Sequence, residues 1–216
     1  MKIKIIPTIF AVGKRKFDEK FNTLVNISRE IQIDFMDGQF VEDKSIKLSD
    51  VPNLRNFENQ FEAHLMVRDP GRWIKRLKNK GFDKVIFHWD ALEDEDEVKK
   101  IINEIHKLDM EAFIAISPHI REDEIIPVIE EVDGVLIMGV RPGKERQDLL
   151  YKTYYKLENL RAMNKKVILQ VDGGVNLITA KDLVKSGANI LNSGSFVSKA
   201  KDPKKAYQEL VEIVNK

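Results

Sequence analysis

Three short apolar runs each carry residues that can move protons or hold a cation. One reads Gln32-Ile33-Asp34-Phe35-Met36-Asp37-Gly38, the next Glu62-Ala63-His64-Leu65-Met66-Val67, the last Gln170-Val171-Asp172-Gly173-Gly174. Alternate residues of a strand share a face. Gln32, Asp34 and Met36 therefore project together, as do His64 and Met66. If those faces meet, Asp34, His64 and Asp172 converge. Two carboxylates and an imidazole form a donor set for a divalent cation. Two carboxylates on opposite sides of a flat intermediate could equally pass a proton across it. Each residue also has a plainer role open to it. An aspartate at a strand end forms turns or caps helices. A lone histidine on an apolar strand is commonly a satisfied core residue, and Met36, Met66 and Met138 are ordinary core filler.

Two glycine-containing turns suggest anion handling. Gly173-Gly174 precedes Asn176 and a helical run, so backbone N–H groups there could face a phosphate. Ser193-Gly194-Ser195 follows the last apolar run and has the form of a turn opening a short helix.

Positioning such residues requires strands whose ends meet. Apolar runs rich in branched residues occur at Ile3–Phe10, Ile31–Met36, Phe61–Val67, Val85–His88, Ala112–Ile116, Val135–Val140, Val167–Val171 and Ile190–Leu191. Helical periodicity separates many of them. Phe17, Phe21, Leu24 and Val25 share one face, as do Val98, Ile101, Ile102, Ile105 and Leu108, and later Leu210, Val211 and Val214. The acidic run Asp94 to Glu97 suits a solvated first helical turn. Near-continuous apolar strands are buried on both faces, as in a parallel sheet. Repeated βα units of this kind predict an α/β protein, a (β/α)8 TIM barrel, as one domain over residues 1–216. Periodicity alone leaves a doubly wound open sheet as the alternative. In a barrel the active site lies at the C-terminal ends of the strands, with phosphate bound by the loops after the seventh and eighth. Asp34, His64, Asp172 and the glycine turns all fall there.

Composition narrows the function. The 216 residues contain 36 Lys+Arg against 35 Asp+Glu, so no basic field marks a nucleic-acid partner. Cysteine is absent, which excludes disulfides, thiolate zinc sites and cysteine nucleophiles. No stretch approaches the roughly 20 apolar residues of a membrane span, and the N-terminal run lacks the form of a signal peptide. The expectation is a cytoplasmic protein with no membrane partner.

These residues resemble the ribulose-phosphate 3-epimerase family, in order and over most of the chain. The resemblance rests on Pro7-Thr8-Ile9, Asp34-Phe35-Met36-Asp37-Gly38-Gln39-Phe40-Val41, His64-Leu65-Met66-Val67, Phe87-His88-Trp89-Asp90-Ala91, Met138-Gly139-Val140-Arg141-Pro142-Gly143, Val171-Asp172-Gly173-Gly174-Val175 and Ser193-Gly194-Ser195. It implies a ribulose-phosphate-binding barrel that inverts C3 of a ketose phosphate through an enediolate. Ribulose 5-phosphate and xylulose 5-phosphate, or a related sugar phosphate, are the implied substrates. Asp34 and Asp172 match the acid–base pair. Asp34, His64 and Asp172, with Gln32, match the metal-binding positions. Thr8, Met36, Met66, Met138, Gly143, Gly173, Gly174, Gly194 and Ser195 match substrate-binding positions. A divalent cation (Mn, Fe, Zn or Mg) and a homo-oligomer are implied in the same way.

Departures from the family pattern leave a second expectation, a member that binds a sugar phosphate or a partner protein without turnover. Gln32 stands where the family usually has histidine, and a neutral amide oxygen is the weaker ligand for zinc. The loop after Pro142-Gly143 reads Lys144-Glu145-Arg146-Gln147 instead of glycine-rich, which makes Lys144 or Arg146 candidate phosphate contacts. Ala11-Val12-Gly13 replaces Ser-Ala-Asp, and His119 is an additional candidate site residue. Aldolases and decarboxylases of related fold typically carry Asp-x-Lys-x-x-Asp; Met36 stands where that lysine would be.

Overall fold

The computed structural model describes residues 2–144 and 147–216. Eight strands pair in parallel, each with its sequence neighbour, and the first closes on the last. They are β1 (Lys4–Ile9), β2 (Glu30–Met36), β3 (Gln60–Met66), β4 (Lys84–His88), β5 (Glu111–Ile116), β6 (Gly134–Met138), β7 (Ile168–Asp172) and β8 (Ile190–Ser193). Helices α1 (Lys14–Leu24), α2 (Ile74–Lys80), α3 (Glu95–His106), α4 (Lys152–Met163), α5 (Ala180–Lys185), α6 (Ser195–Ser198) and α7 (Pro203–Asn215) lie between and after them. The architecture is the (β/α)8 barrel. No described helix is long and apolar enough to cross a membrane.

Two crossovers depart from regular βα alternation. Between β2 and β3 the chain makes only short 3-10 turns, at Leu48–Asp50 and Leu54–Asn56. After β5 the segment Glu122–Val128 is also 3-10, with Pro127 inside it. Proline has no N–H to give an α-helical ladder, and its ring crowds the preceding turn. The acidic run behaves as expected: Asp94 caps α3, its carboxylate accepting from the Glu97 N–H at 2.9 Å.

Strand parity divides the barrel into two interiors. Outward residues such as Ile33, Phe35, Leu65, Phe87 and Val171 pack under the helices with Phe17, Leu24, Ile102, Ile105 and Leu210. Inward residues of the middle strands form a smaller apolar cluster of Ile86, Phe113, Ala115, Leu136 and Met138. Gly134 is required there, because a Cβ at that position would lie 2.3 Å from the Phe113 ring. Beside it runs a buried polar column of Gln32, Glu62, His64, Lys84, His88, Gln170 and Asn192. This column of side chains carries the site.

Candidate active site

Strands β2 and β3 are in a register that sets Asp34 beside His64. Asp172 comes from the end of β7, paired with Met138 on one side and Asn192 on the other. His64 Nδ1 lies 3.2 Å from Asp34 Oδ1 and 3.4 Å from Asp172 Oδ2. The Gln32 amide nitrogen reaches the same two oxygens, donating to Asp34 Oδ1 at 2.9 Å and to Asp172 Oδ2 at 2.6 Å. It also lies 3.3 Å from Thr8 Oγ1. Behind the site, His64 Nε2 meets His88 Nε2 at 3.0 Å. The other His88 nitrogen faces Ser117 Oγ at 3.3 Å and Asp90 at 3.5 Å.

Burial and proximity reshape the acid–base properties. Burial raises the Asp34 carboxyl to about 6; the His64 contact opposes that rise and the Asp172 charge adds to it. Burial alone would lower His64, but its contacts with Asp172 and Asp34 outweigh that and raise it to about 9. Burial pushes His88 down to about 4, so it stands neutral beside His64. Asp34 is thus poised near neutral pH, where a group can both accept and return a proton.

Asp34, His64 and Asp172 also fit a divalent cation. One ligand atom from each lies within 4.8 Å of the others, and all three residues are buried. Two carboxylate oxygens and one imidazole nitrogen suit a first-row divalent metal. Where the sequence places Gln32 among the ligands, the structure presents its donor end. Its carbonyl oxygen is turned away and accepts from Asn192 Nδ2 at 2.8 Å.

A cavity of about 330 Å³ opens above these residues at the C-terminal end of the barrel. Thr8, Asp34, Met36, His64, Met66, Met138 and Asp172 line its floor and sides, and Gly143, Gly173, Gly174, Gly194 and Ser195 its rim. Gly173 has φ of +97°, and a Cβ there would meet the Val140 side chain at 2.4 Å. Glycine is therefore what allows that loop to turn over the cavity. Lys144 lines the cavity too, whereas Arg146 lies outside the described residues. His119 does not line it. It is exposed on the outer side of Asp90, 3.4 Å from that carboxylate, because the turn after β5 carries it outward.

Sequence reasoning missed four participants. His88 is the buried neighbour of His64, and Lys199 and Asn192 line the cavity. Glu62 lies below the site on the inward face of β3. Glu62 shares strand parity with His64, a signal that was available; Asn192 and Lys199 carry no local signal.

Comparisons with known proteins point the same way. A ribulose-phosphate 3-epimerase of Schizosaccharomyces pombe is 31% identical over 221 residues, covering 100% of this chain and 96% of its own. That of Bacillus subtilis is 29% identical, covering 96% and 98%. A solved structure of KGPDC from Streptococcus mutans superposes with a TM-score of 0.79 at 15% identity, over 99% of this chain and 98% of that one, a likeness of fold. The profile of the Ribulose-phosphate 3 epimerase family matches residues 4–198. With that match spanning all eight strands, the chain belongs to the ribulose-phosphate 3-epimerase family.

Proposed function

We propose that this protein inverts C3 of a ketose phosphate, interconverting ribulose 5-phosphate and xylulose 5-phosphate or a closely related pair. The observation that carries the reading is the approach of Asp34 and Asp172, from strands on different sides of the barrel, to one imidazole at the floor of the cavity. Inversion needs a proton taken from one face of C3 and another returned to the opposite face. One aspartate removes the C3 proton, leaving an enediolate. The other delivers its proton to the far face, and the configuration is reversed. Each carboxylate turns one oxygen to His64, which leaves its second oxygen for this transfer.

A divalent cation (Mn, Fe, Zn or Mg) held by Asp34, His64 and Asp172 would stabilise the negative charge that develops during enolisation. Met36, Met66 and Met138 offer a polarisable apolar surface that keeps water from the reacting carbon. The phosphate group is assigned to the rim, where Gly173, Gly174, Gly194, Ser195 and the lysines 144 and 199 gather. Self-association and a cytoplasmic setting belong to the same reading.

One observation favours the alternative, a binding protein without turnover: the Gln32 N–H groups engage the carboxylate oxygens a cation would use. The deciding experiment is proton NMR of ribulose 5-phosphate in heavy water with the protein and each of the four cations in turn. Deuterium entering C3 together with xylulose 5-phosphate is the expected result. An intact C3 proton under all four conditions removes the proposal and leaves the binding protein.

A further inference from the structure

The carbonyl and nitrogen ends of Gln32 have opposite effects on a cation among Asp34, His64 and Asp172. A carbonyl would add a ligand. The NH2 group holds the same oxygens, Asp34 Oδ1 and Asp172 Oδ2, that also face His64 Nδ1. Both ends are held: the NH2 by these carboxylates, and the carbonyl from deeper in the barrel.

The polarity runs outward from a charge. Lys84 donates to Glu62 Oε2 at 2.9 Å, and both side chains are almost wholly buried. An ionised carboxylate only accepts hydrogen bonds. Glu62 Oε1 therefore takes N–H groups, from Gln170 at 2.6 Å and from Asn192 Nδ2 at 2.8 Å. That fixes the Asn192 amide. Its oxygen accepts from Gln170 at 2.7 Å, and its nitrogen is shared between Glu62 and the Gln32 carbonyl. Reversing Gln32 would set its NH2 against the Asn192 NH2. Reversing Asn192 as well would set an amide oxygen against the Glu62 carboxylate. Both are mismatches between side chains that are buried almost completely, so each is costly.

We propose that Asn192 is a positioning residue: it holds Gln32 with its NH2 toward Asp34 and Asp172, and so sets the cation affinity of the site. Gln32 is then a carboxylate-orienting donor in this chain, and the restraint on cation binding is exerted from β8. This rests on the functional reading only in placing the cation among Asp34, His64 and Asp172; it does not require turnover.

The test is a double-mutant cycle read by Mn²⁺ binding, with N192L made in the native and in the Q32L background. In the native background N192L removes the donor that holds the Gln32 carbonyl, so that the carbonyl can turn toward the site without meeting an opposing NH2, and should tighten Mn²⁺ binding on the order of ten- to a hundredfold. In the Q32L background it should change nothing. Equal effects in both backgrounds, or none in the first, overturn the proposal. A second measurement needs no substitution at Asn192. The side-chain amide resonances of Gln32, identified by their loss in Q32L, should be protected from solvent exchange in the cation-free protein; a freely exchanging pair overturns it too. C3 exchange of ribulose 5-phosphate by the native protein is scored separately, so a negative result there counts against the epimerase reading alone.

Discussion

His64 and His88 face each other nitrogen to nitrogen, Nε2 to Nε2 at 3.0 Å, with rings 20° from parallel. One must donate and the other accept. His88 turns its Nδ1 to Asp90 and Ser117 and is held neutral, so its proton sits on Nδ1 and its Nε2 accepts. His64 then donates from Nε2 and shows Nδ1 to the two aspartates. The tautomer that can ligate a cation is set by a partner one strand away.

Cation binding should follow pH with a defined sign. His64 is raised to about 9, so in the absence of cation it carries a proton on Nδ1 near neutrality, and that proton must leave before the nitrogen can ligate. Affinity should climb about tenfold per pH unit up to about 9 and level off above. Below about 6 Asp34 also binds a proton, and the dependence should steepen. Mn²⁺ titrations at several pH values check this; a flat profile from 6 to 9 would contradict the His64 environment.

The two aspartates should fail in complementary ways. D34N and D172N preserve side-chain shape, and each should lower epimerisation by about 10²- to 10⁴-fold. Each retains one base, so each should still exchange the C3 proton of one epimer with solvent, and the two variants should spare opposite epimers. Loss of the same epimer's exchange in both would argue that a single residue does the proton transfer.

Replacing Gln32 by histidine exchanges a donor for a lone pair. Q32H should tighten Mn²⁺ or Zn²⁺ binding on the order of tenfold, about 1.4 kcal/mol, and raise turnover. Calorimetry and the C3-exchange assay read the two effects; an unchanged affinity would mean that Gln32 does not restrain the site.

Two ion pairs near the N-terminal end of the barrel should differ sharply in worth. Lys4–Glu30 spans 2.8 Å with the lysine side chain 55% exposed. K4A should change unfolding free energy by no more than about 1 kcal/mol. Lys84–Glu62 spans 2.9 Å with both side chains under 10% exposed. K84M strands a buried carboxylate and should cost about 3–5 kcal/mol. Urea unfolding of the two variants decides, and equal losses would contradict the contrast.

The barrel and the cluster of Asp34, His64 and Asp172 were legible because each depends on local pattern. Alternation placed Asp34 inward with Gln32, and apolar runs marked every strand. What escaped depends on distant partners. Lys84 reads as a charged strand edge until Glu62 is set beside it by the β3–β4 register. Gln32 reads as a ligand until Asn192, 160 residues later, takes its carbonyl. The crossover after β5 has apolar residues enough for a helix, and only Pro127 distinguishes it.

The polar column also bears on assembly of the barrel itself. A strand that slipped by one residue would carry Ile31 or Ile33 into the axis and push Gln32 among the phenylalanines under the helices. In an all-apolar interior such a shift exchanges one greasy side chain for another. Here it breaks several hydrogen bonds at once, so the interior proofreads strand alignment, and the chain that closes wrongly is the one least able to stay closed.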